Sequence, residues 1–177
     1  LGEPLSGRTN PPDGATFKGT MLGEADEHYL LASDAGFGFM ARIGDLYAKN
    51  KAGKTVLSLP AGAEVQKPSL VVNPETDRVA CVSSEGRLLL HALCELPTLV
   101  RGKGMKTINI PAQKVKSRDD YVRFTVLVPH GSSLTVHAGK RHLTLKPADL
   151  ELYDLGRGRR GKKLPRGLQR VDSVEVV

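Results

Sequence analysis

Three segments of this 177-residue chain gather glycine with lysine or arginine: AKNKAGKT at 48–55, RGKGMK at 101–106 and GRGRRGKK at 156–163. Lys and Arg supply charge and hydrogen-bond donors, and glycine lets a backbone come close to a phosphate. The chemistry such segments offer is recognition of a polyanion. The candidate contact residues are Lys49, Lys51 and Lys54 in the first, and Arg101, Lys103 and Lys106 in the second. The third supplies Arg157, Arg159, Arg160, Lys162 and Lys163, while Arg42, Lys140, Arg141, Arg166 and Arg170 lie nearby along the chain. The net charge is +7, and it is unevenly placed. Residues 1–39 carry two basic and six acidic side chains, whereas residues 140–170 carry ten basic and three acidic ones. A basic surplus gathered in one region is the footprint of a polyanionic partner.

Catalytic chemistry has weaker support. Gly156-Arg157-Gly158-Arg159-Arg160-Gly161 fits the dinucleotide pattern G-x-G-x-x-G, which works only between a strand and a helix. Here Pro165 and Gly167 follow and argue against a helix. Ala48 to Thr55 matches a relaxed phosphate loop, yet Val56-Leu57-Ser58-Leu59-Pro60 alternates like a strand where that motif needs a helix. His91 and Cys94 have no second ligand pair to complete a zinc site. His137 and His142 read as polar surface on a strand pair, Ser132-Ser133 as a hairpin turn, and Asp119-Asp120 as a loop entering a strand. No catalytic, metal or cofactor site is expected in this chain.

The elements that position the basic segments follow from an internal repeat. LASDAGFGFMARIGDL at 31–46 aligns with CVSSEGRLLLHALCEL at 81–96, pairing Ser33 with Ser83, Gly36 with Gly86 and Leu46 with Leu96, each 50 residues apart. Gly131 to Ala138 with Asp149-Leu150 is a looser third copy, and Pro12-Asp13-Gly14-Ala15 mirrors Pro60-Ala61-Gly62-Ala63. Within a unit, short apolar runs split by a glycine turn read as hairpins. Thr55 to Leu59 and Lys106 to Ile110 alternate as further strands, and Pro147 to Leu150 is a helical turn at most. The expected fold is all-β: propeller-like antiparallel blades of about 50 residues, in units near 1–26 (partial), 27–73, 74–118 and 119–177. With 19 glycines and 11 prolines, short elements joined by turns are favoured over long helices. A single such unit cannot cover both of its faces, so its neighbours must. The basic segments recur at one place in the repeat, which predicts a continuous cationic track on the rim.

Leu1-Gly2-Glu3-Pro4 opens the chain without Met, so it reads as an excerpt of something larger. No apolar run approaches the roughly 18 residues of a membrane span, and no amphipathic helix accompanies the charge. Two cysteines, Cys81 and Cys94, suggest buried thiols in a reducing, cytoplasmic setting.

SDAGFGF, the GDL and CEL pairs, RGKGMKTINIP, VHAGKRHLTLKP and above all GRGRRGKKLPRGLQRVDSVEV resemble the C-terminal domains of the A subunits of topoisomerase IV. That resemblance implies a β-pinwheel whose outer edge binds and bends double-stranded DNA. It also implies attachment to a breakage–reunion core that cuts DNA through a tyrosine, so Tyr29, Tyr47, Tyr121 and Tyr153 are not credited with that chemistry. The implied setting is a bacterial, nucleoid-associated heterotetramer that pairs A subunits with ATPase B subunits and uses ATP and magnesium. The related C-terminal domain of gyrase A carries a QRRGGKG box for tight wrapping. Gly158 to Lys163 is at most a degenerate version of it. A propeller-like protein-interaction platform and a free-standing hydrolase or nucleotide enzyme are the alternatives from other classes.

Overall fold

The computed structural model describes residues 2–177. Eleven strands dominate: β1 (His28–Ser33), β2 (Phe37–Arg42), β3 (Ser69–Val71), β4 (Arg78–Ser83), β5 (Arg87–Ala92), β6 (Met105–Lys106), β7 (Val122–Val128), β8 (Leu134–Ala138), β9 (Arg141–Leu145), β10 (Lys162–Lys163) and β11 (Ser173–Val176). Among the described residues, helix is confined to α1 (Leu5–Arg8), α2 (Ala112–Ser117), α3 (Pro147–Leu150) and short 3-10 turns. The strands form three antiparallel sheets, ordered β3-β1-β2-β6, β10-β5-β4-β7 and β11-β8-β9.

Each of the first two sheets grows from a hairpin of the repeat. The Ser33 and Ser83 carbonyls accept from the amides of Gly36 and Gly86 at 3.2 and 3.0 Å, closing equivalent turns. The registers beyond them also agree, with Leu30 opposite Met40 and Ala80 opposite Leu90. The sheets are then completed by chain from the following unit. β7 pairs with β4, β6 edges β2, and β10 edges β5. Successive units are thereby interleaved through backbone hydrogen bonds as well as packed.

Burial explains the composition of the strands. Val79, Cys81 and Leu89 face Leu30 and Met40 of the first sheet, in a cluster completed by Ile108, Ile110 and Val115. From the opposite face, Ala80, Val82, Leu88 and Leu90 meet Leu134, Val136 and Leu145 of the third sheet. The middle sheet is covered on both sides, so β4 and β5 read as continuous apolar runs without alternation. Leu88, Leu89 and Leu90 are fully buried, each worth roughly 1.5–3 kcal/mol relative to exposure.

Two sequence expectations fail in part. Thr55 to Leu59 forms only a single bridge, Leu57 to Gly102, and of Lys106 to Ile110 only Lys106 is strand. Their alternation is real, but Ile108 and Ile110 are inserted into the core between sheets, and the neighbouring chain is a glycine-bearing loop too irregular for a ladder. Cys81 is buried as expected, its thiol pushed up to about 11 by burial, whereas Cys94 is exposed because it lies on the 3-10 turn that leaves β5. The helical turn at Pro147–Leu150 is present. α2 has no counterpart among the sequence expectations: a six-residue helix with one buried residue, Val115, carries no periodic signal.

Candidate nucleic-acid interface

The second and third basic segments are built by one plan. At the first hairpin, the chain that follows β5 bridges Met40 through Thr98, loops outward, and returns as β6 opposite Phe37 and Gly38. Chain at the second bridges Leu90 through Asp154, loops outward, and returns as β10 opposite Arg87 and Leu88. Gly104 and Gly161 make the return possible. Both have positive φ, and a Cβ would lie 2.3 Å from the Gly38 carbonyl oxygen at Gly104 and 2.9 Å from that of Leu88 at Gly161. These two glycines therefore serve the approach of the returning strand to the hairpin.

The segments are also joined to one another. The Gly102 amide donates to the Val56 carbonyl and the Ser58 amide to that of Gly102, both at 2.9 Å. One unit later, the Gly158 amide donates to the Thr107 carbonyl and the Asn109 amide to that of Arg159, both at 2.8 Å. Residues 56–58 directly follow the first basic segment, and 107–109 directly follow the second. The three segments thus succeed one another along one edge, away from the side where β7 packs against β3 and β11.

Along this edge Lys49, Lys51, Lys54, Arg101, Lys103, Arg159, Arg160, Lys162 and Lys163 are exposed. Lys106 and Arg157 are half-buried and partly committed to structure. Arg157 donates to the Lys106 carbonyl at 2.9 Å, tying the third segment to the second, and Lys106 donates to Asn109 Oδ1 at 3.1 Å. Lys103 Nζ lies 4.5 Å from the centroid of the Phe37 ring. Lys54 donates to the Asp45 carbonyl.

The other predicted residues are placed differently. Lys140 and Arg141 sit at the turn between β8 and β9, and the Arg141 guanidinium lies against Gly167, so Arg166 and Arg170 join them in a second exposed patch. Arg42 is engaged by Asp45 through Nε at 3.2 Å and Nη2 at 3.0 Å. Its hydrogen bond holds the Asp45 carboxyl below its usual range and raises the guanidinium. Part of the Arg42 charge is therefore already met by Asp45.

Sequence reasoning missed the second layer of the edge. Lys114 of α2, Arg87 of β5 and Arg160 meet there on Glu85 of the second hairpin turn. α2 bridges the two turns, because Arg118 reaches Asp34 at 2.8 Å while Lys114 pairs with Glu85. The charged pattern of QKVKSRDD is visible in the sequence, but its short length hides the helix.

The other chemical motifs are resolved by their surroundings. Neither glycine pattern opens a helix: the chain after Gly53 is irregular apart from the bridge at Leu57, and the chain after Gly161 is β10. His91 is fully buried, its Nδ1 2.8 Å from the Ala92 carbonyl and its pKa lowered by burial. Asp120 is buried and accepts from Ser84 Oγ at 3.0 Å. Among the described residues no group of His, Cys, Asp or Glu is arranged to hold a metal, and no helix is long and apolar enough to cross a membrane.

No family model matches the chain. It is 53% identical over 175 residues to the A subunit of DNA topoisomerase 4 from Pseudomonas aeruginosa, a match that covers 99% of this chain and 23% of that protein. The Escherichia coli protein of the same name is 41% identical over 175 residues, with the same coverage. The solved C-terminal domain of E. coli ParC has a TM-score of 0.93 at 40% identity, covering 99% of this chain and 71% of that one. The chain belongs to the family of C-terminal domains of topoisomerase IV A subunits. Its fold is the β-pinwheel that the resemblance implied, mostly antiparallel sheet with little helix. The gyrase A C-terminal domain shares that fold, with a TM-score of 0.73 at 19% identity over 99% of this chain and 58% of that one. This topoisomerase IV domain spans 23% of the length of the curated relatives it matches.

Proposed function

We propose that this domain binds duplex DNA without strong sequence preference and bends it along the basic edge, positioning a segment for strand passage by a topoisomerase IV. The observation that carries the reading is the hydrogen-bonded succession of three basic segments along one edge of the sheets. The contacts are DNA-binding side chains Lys49, Lys51, Lys54, Arg101, Lys103, Lys106, Arg157, Arg159, Arg160, Lys162 and Lys163, with Lys140, Arg141, Arg166 and Arg170 as a flanking patch. Arg42 contributes less, because Asp45 already meets its charge. Exposed charges on loops and two-residue strands address phosphates. Base reading calls for an element that enters a groove, and these segments offer none.

In the whole protein the domain serves ATP-dependent relaxation and decatenation during chromosome segregation, in the bacterial cytoplasm at the nucleoid. It works there with an ATPase B subunit and with the rest of its own A subunit, which hold the magnesium- and ATP-dependent chemistry. By itself the domain is non-catalytic. The purified domain should shift two unrelated duplexes of equal length at the same protein concentration in low salt, and should neither relax supercoiled DNA nor hydrolyse ATP. A tenfold preference for one duplex, or magnesium-dependent relaxation by the domain, would overturn the reading.

A further inference from the structure

At the corner of the second sheet, three cations from three elements converge on one carboxylate. Glu85, in the turn between β4 and β5, is paired with Lys114 of α2, lies 3.4 Å from Arg160 Nη2 and is 3.9 Å from Arg87 Nε. Arg87 donates through Nη1 to the Gly161 carbonyl at 3.1 Å, which fixes its guanidinium against β10. Its Nε is buried and has no hydrogen-bond partner, because 3.9 Å is too far for one. Three donors held by a helix, a strand and a loop make a preformed anion site. Glu85 offsets one of the three charges from within, yet leaves one donor unsatisfied.

The first sheet shows what this corner is without the carboxylate. Ala35 stands where the second sheet has Glu85, Phe37 where it has Arg87, and Lys103 where it has Arg160, as the matched registers of β2–β6 and β5–β10 require. Among the described residues no acidic side chain pairs with Lys103, and its ammonium lies over the Phe37 ring. The backbone of the corner therefore does not demand a carboxylate, and an alanine fits the same turn position.

We propose that Lys114, Arg87 and Arg160 form a phosphate subsite continuous with the basic edge, which Glu85 occupies in the free protein as an internal counter-ion and vacates when a backbone phosphate enters. The inference rests on the duplex-binding reading. A phosphate bears tetrahedral oxygens that can accept from three directions at once, including from Arg87 Nε, where the planar carboxylate serves two. Glu85 is one-quarter exposed and sits on a turn, so its side chain can swing to solvent without disturbing a strand. The exchange sets a threshold on binding. DNA must displace a carboxylate at this corner, whereas at the first sheet it meets lysines that no carboxylate shields.

The test is anisotropy of a labelled random-sequence duplex titrated with the wild-type domain and with Glu85→Gln, over a range of salt. Glu85→Gln is expected to bind severalfold more tightly at low salt, with the salt slope steeper by about 0.9, the increment for one more neutralised phosphate. Adding Lys114→Gln and Arg160→Gln to it should return affinity to the wild-type level or below. Inorganic pyrophosphate, followed on the Arg87 and Arg160 Nε–H signals by NMR, should shift them in Glu85→Gln at concentrations that leave the wild type unmoved. Glu85→Ala, which copies the first sheet, carries the same expectations if the glutamine variant is unstable. Wild-type binding with a steep salt slope that Glu85→Gln leaves unchanged, or weakens, would overturn the subsite alone. Absence of duplex binding by both proteins would overturn the duplex reading, and the pyrophosphate titration would then decide the subsite by itself.

Discussion

At the corner of the first sheet, Lys103 and Lys106 flank the ring of Phe37; at the equivalent corner of the second, Arg160, Arg87 and Lys114 surround Glu85. The backbones are the same, down to a glycine whose absent Cβ lets the returning strand reach the hairpin. What differs is how much of the positive charge is already met. The comparison teaches that the repeat dictates where a basic loop must emerge, while the side chains beside it decide how much of its charge is offered to a partner. Positions one unit apart in the sequence are therefore not energetically equal.

The largest expected effect breaks the comparison at the third segment. Replacing Arg159, Arg160, Lys162 and Lys163 by Gln, and sparing Arg157 because it ties two segments together, should weaken duplex binding about a hundredfold at low salt. Gel shift measures it, and an unchanged circular dichroism spectrum shows that the fold survives. Next in size is a test of the shared backbone plan. Gly104→Ala would place a methyl 2.3 Å from the Gly38 carbonyl oxygen at positive φ, and should cost about 2 kcal/mol in urea unfolding. Gly161→Ala, with 2.9 Å of room, should cost less.

How much of this is legible in the sequence depends on the range of the interaction. Paired glycines and serines 50 residues apart reveal the hairpins, because each turn is closed by local bonds such as Gly36 to Ser33. The basic segments are legible for the same reason: they recur in the repeat. The edge strands β6 and β10 are not, since two residues carry no alternation and their partners lie far back in the chain. Nor can the sequence tell that Arg42 is held by Asp45 while Lys103 lies over Phe37, because charge pairing depends on side-chain direction as well as spacing. Residue type alone puts Cys94 inside, and the turn after β5 puts it outside.

A smaller effect sharpens the contrast between corners. Lys103→Gln with Lys106→Gln should weaken duplex binding roughly fifteenfold: the first corner loses only two charges, but no carboxylate shields them, so each counts for more than one in the third segment. A loss of only about threefold from this pair would show that the shielding carboxylate does not set the difference between the corners.

The mildest expected effect concerns a buried position where the two sheets differ, His91 in the second against Ala41 in the first. Burial lowers the His91 pKa from 6.5, so the unfolded chain takes up a proton that the folded protein refuses. Stability should accordingly be level above about pH 6.5 and decline as pH falls below it, until the folded pKa is reached. His91→Leu should flatten urea midpoints across that window, and a slope of the opposite sign would refute a neutral, buried imidazole.

A phosphate track is tested most directly by how the salt dependence of duplex binding divides along the edge. Affinity for two unrelated duplexes should be measured from low to physiological salt, with the wild type and with the variant neutralised at Arg159, Arg160, Lys162 and Lys163. If about six side chains replace condensed counterions, log affinity should fall against log salt with a slope near −0.9 for each, so that the wild type loses on the order of a thousandfold. The variant should show a slope shallower by several such increments, and by the same amount on both sequences. An unchanged slope, or a loss confined to one of the two duplexes, would contradict a phosphate track on this edge.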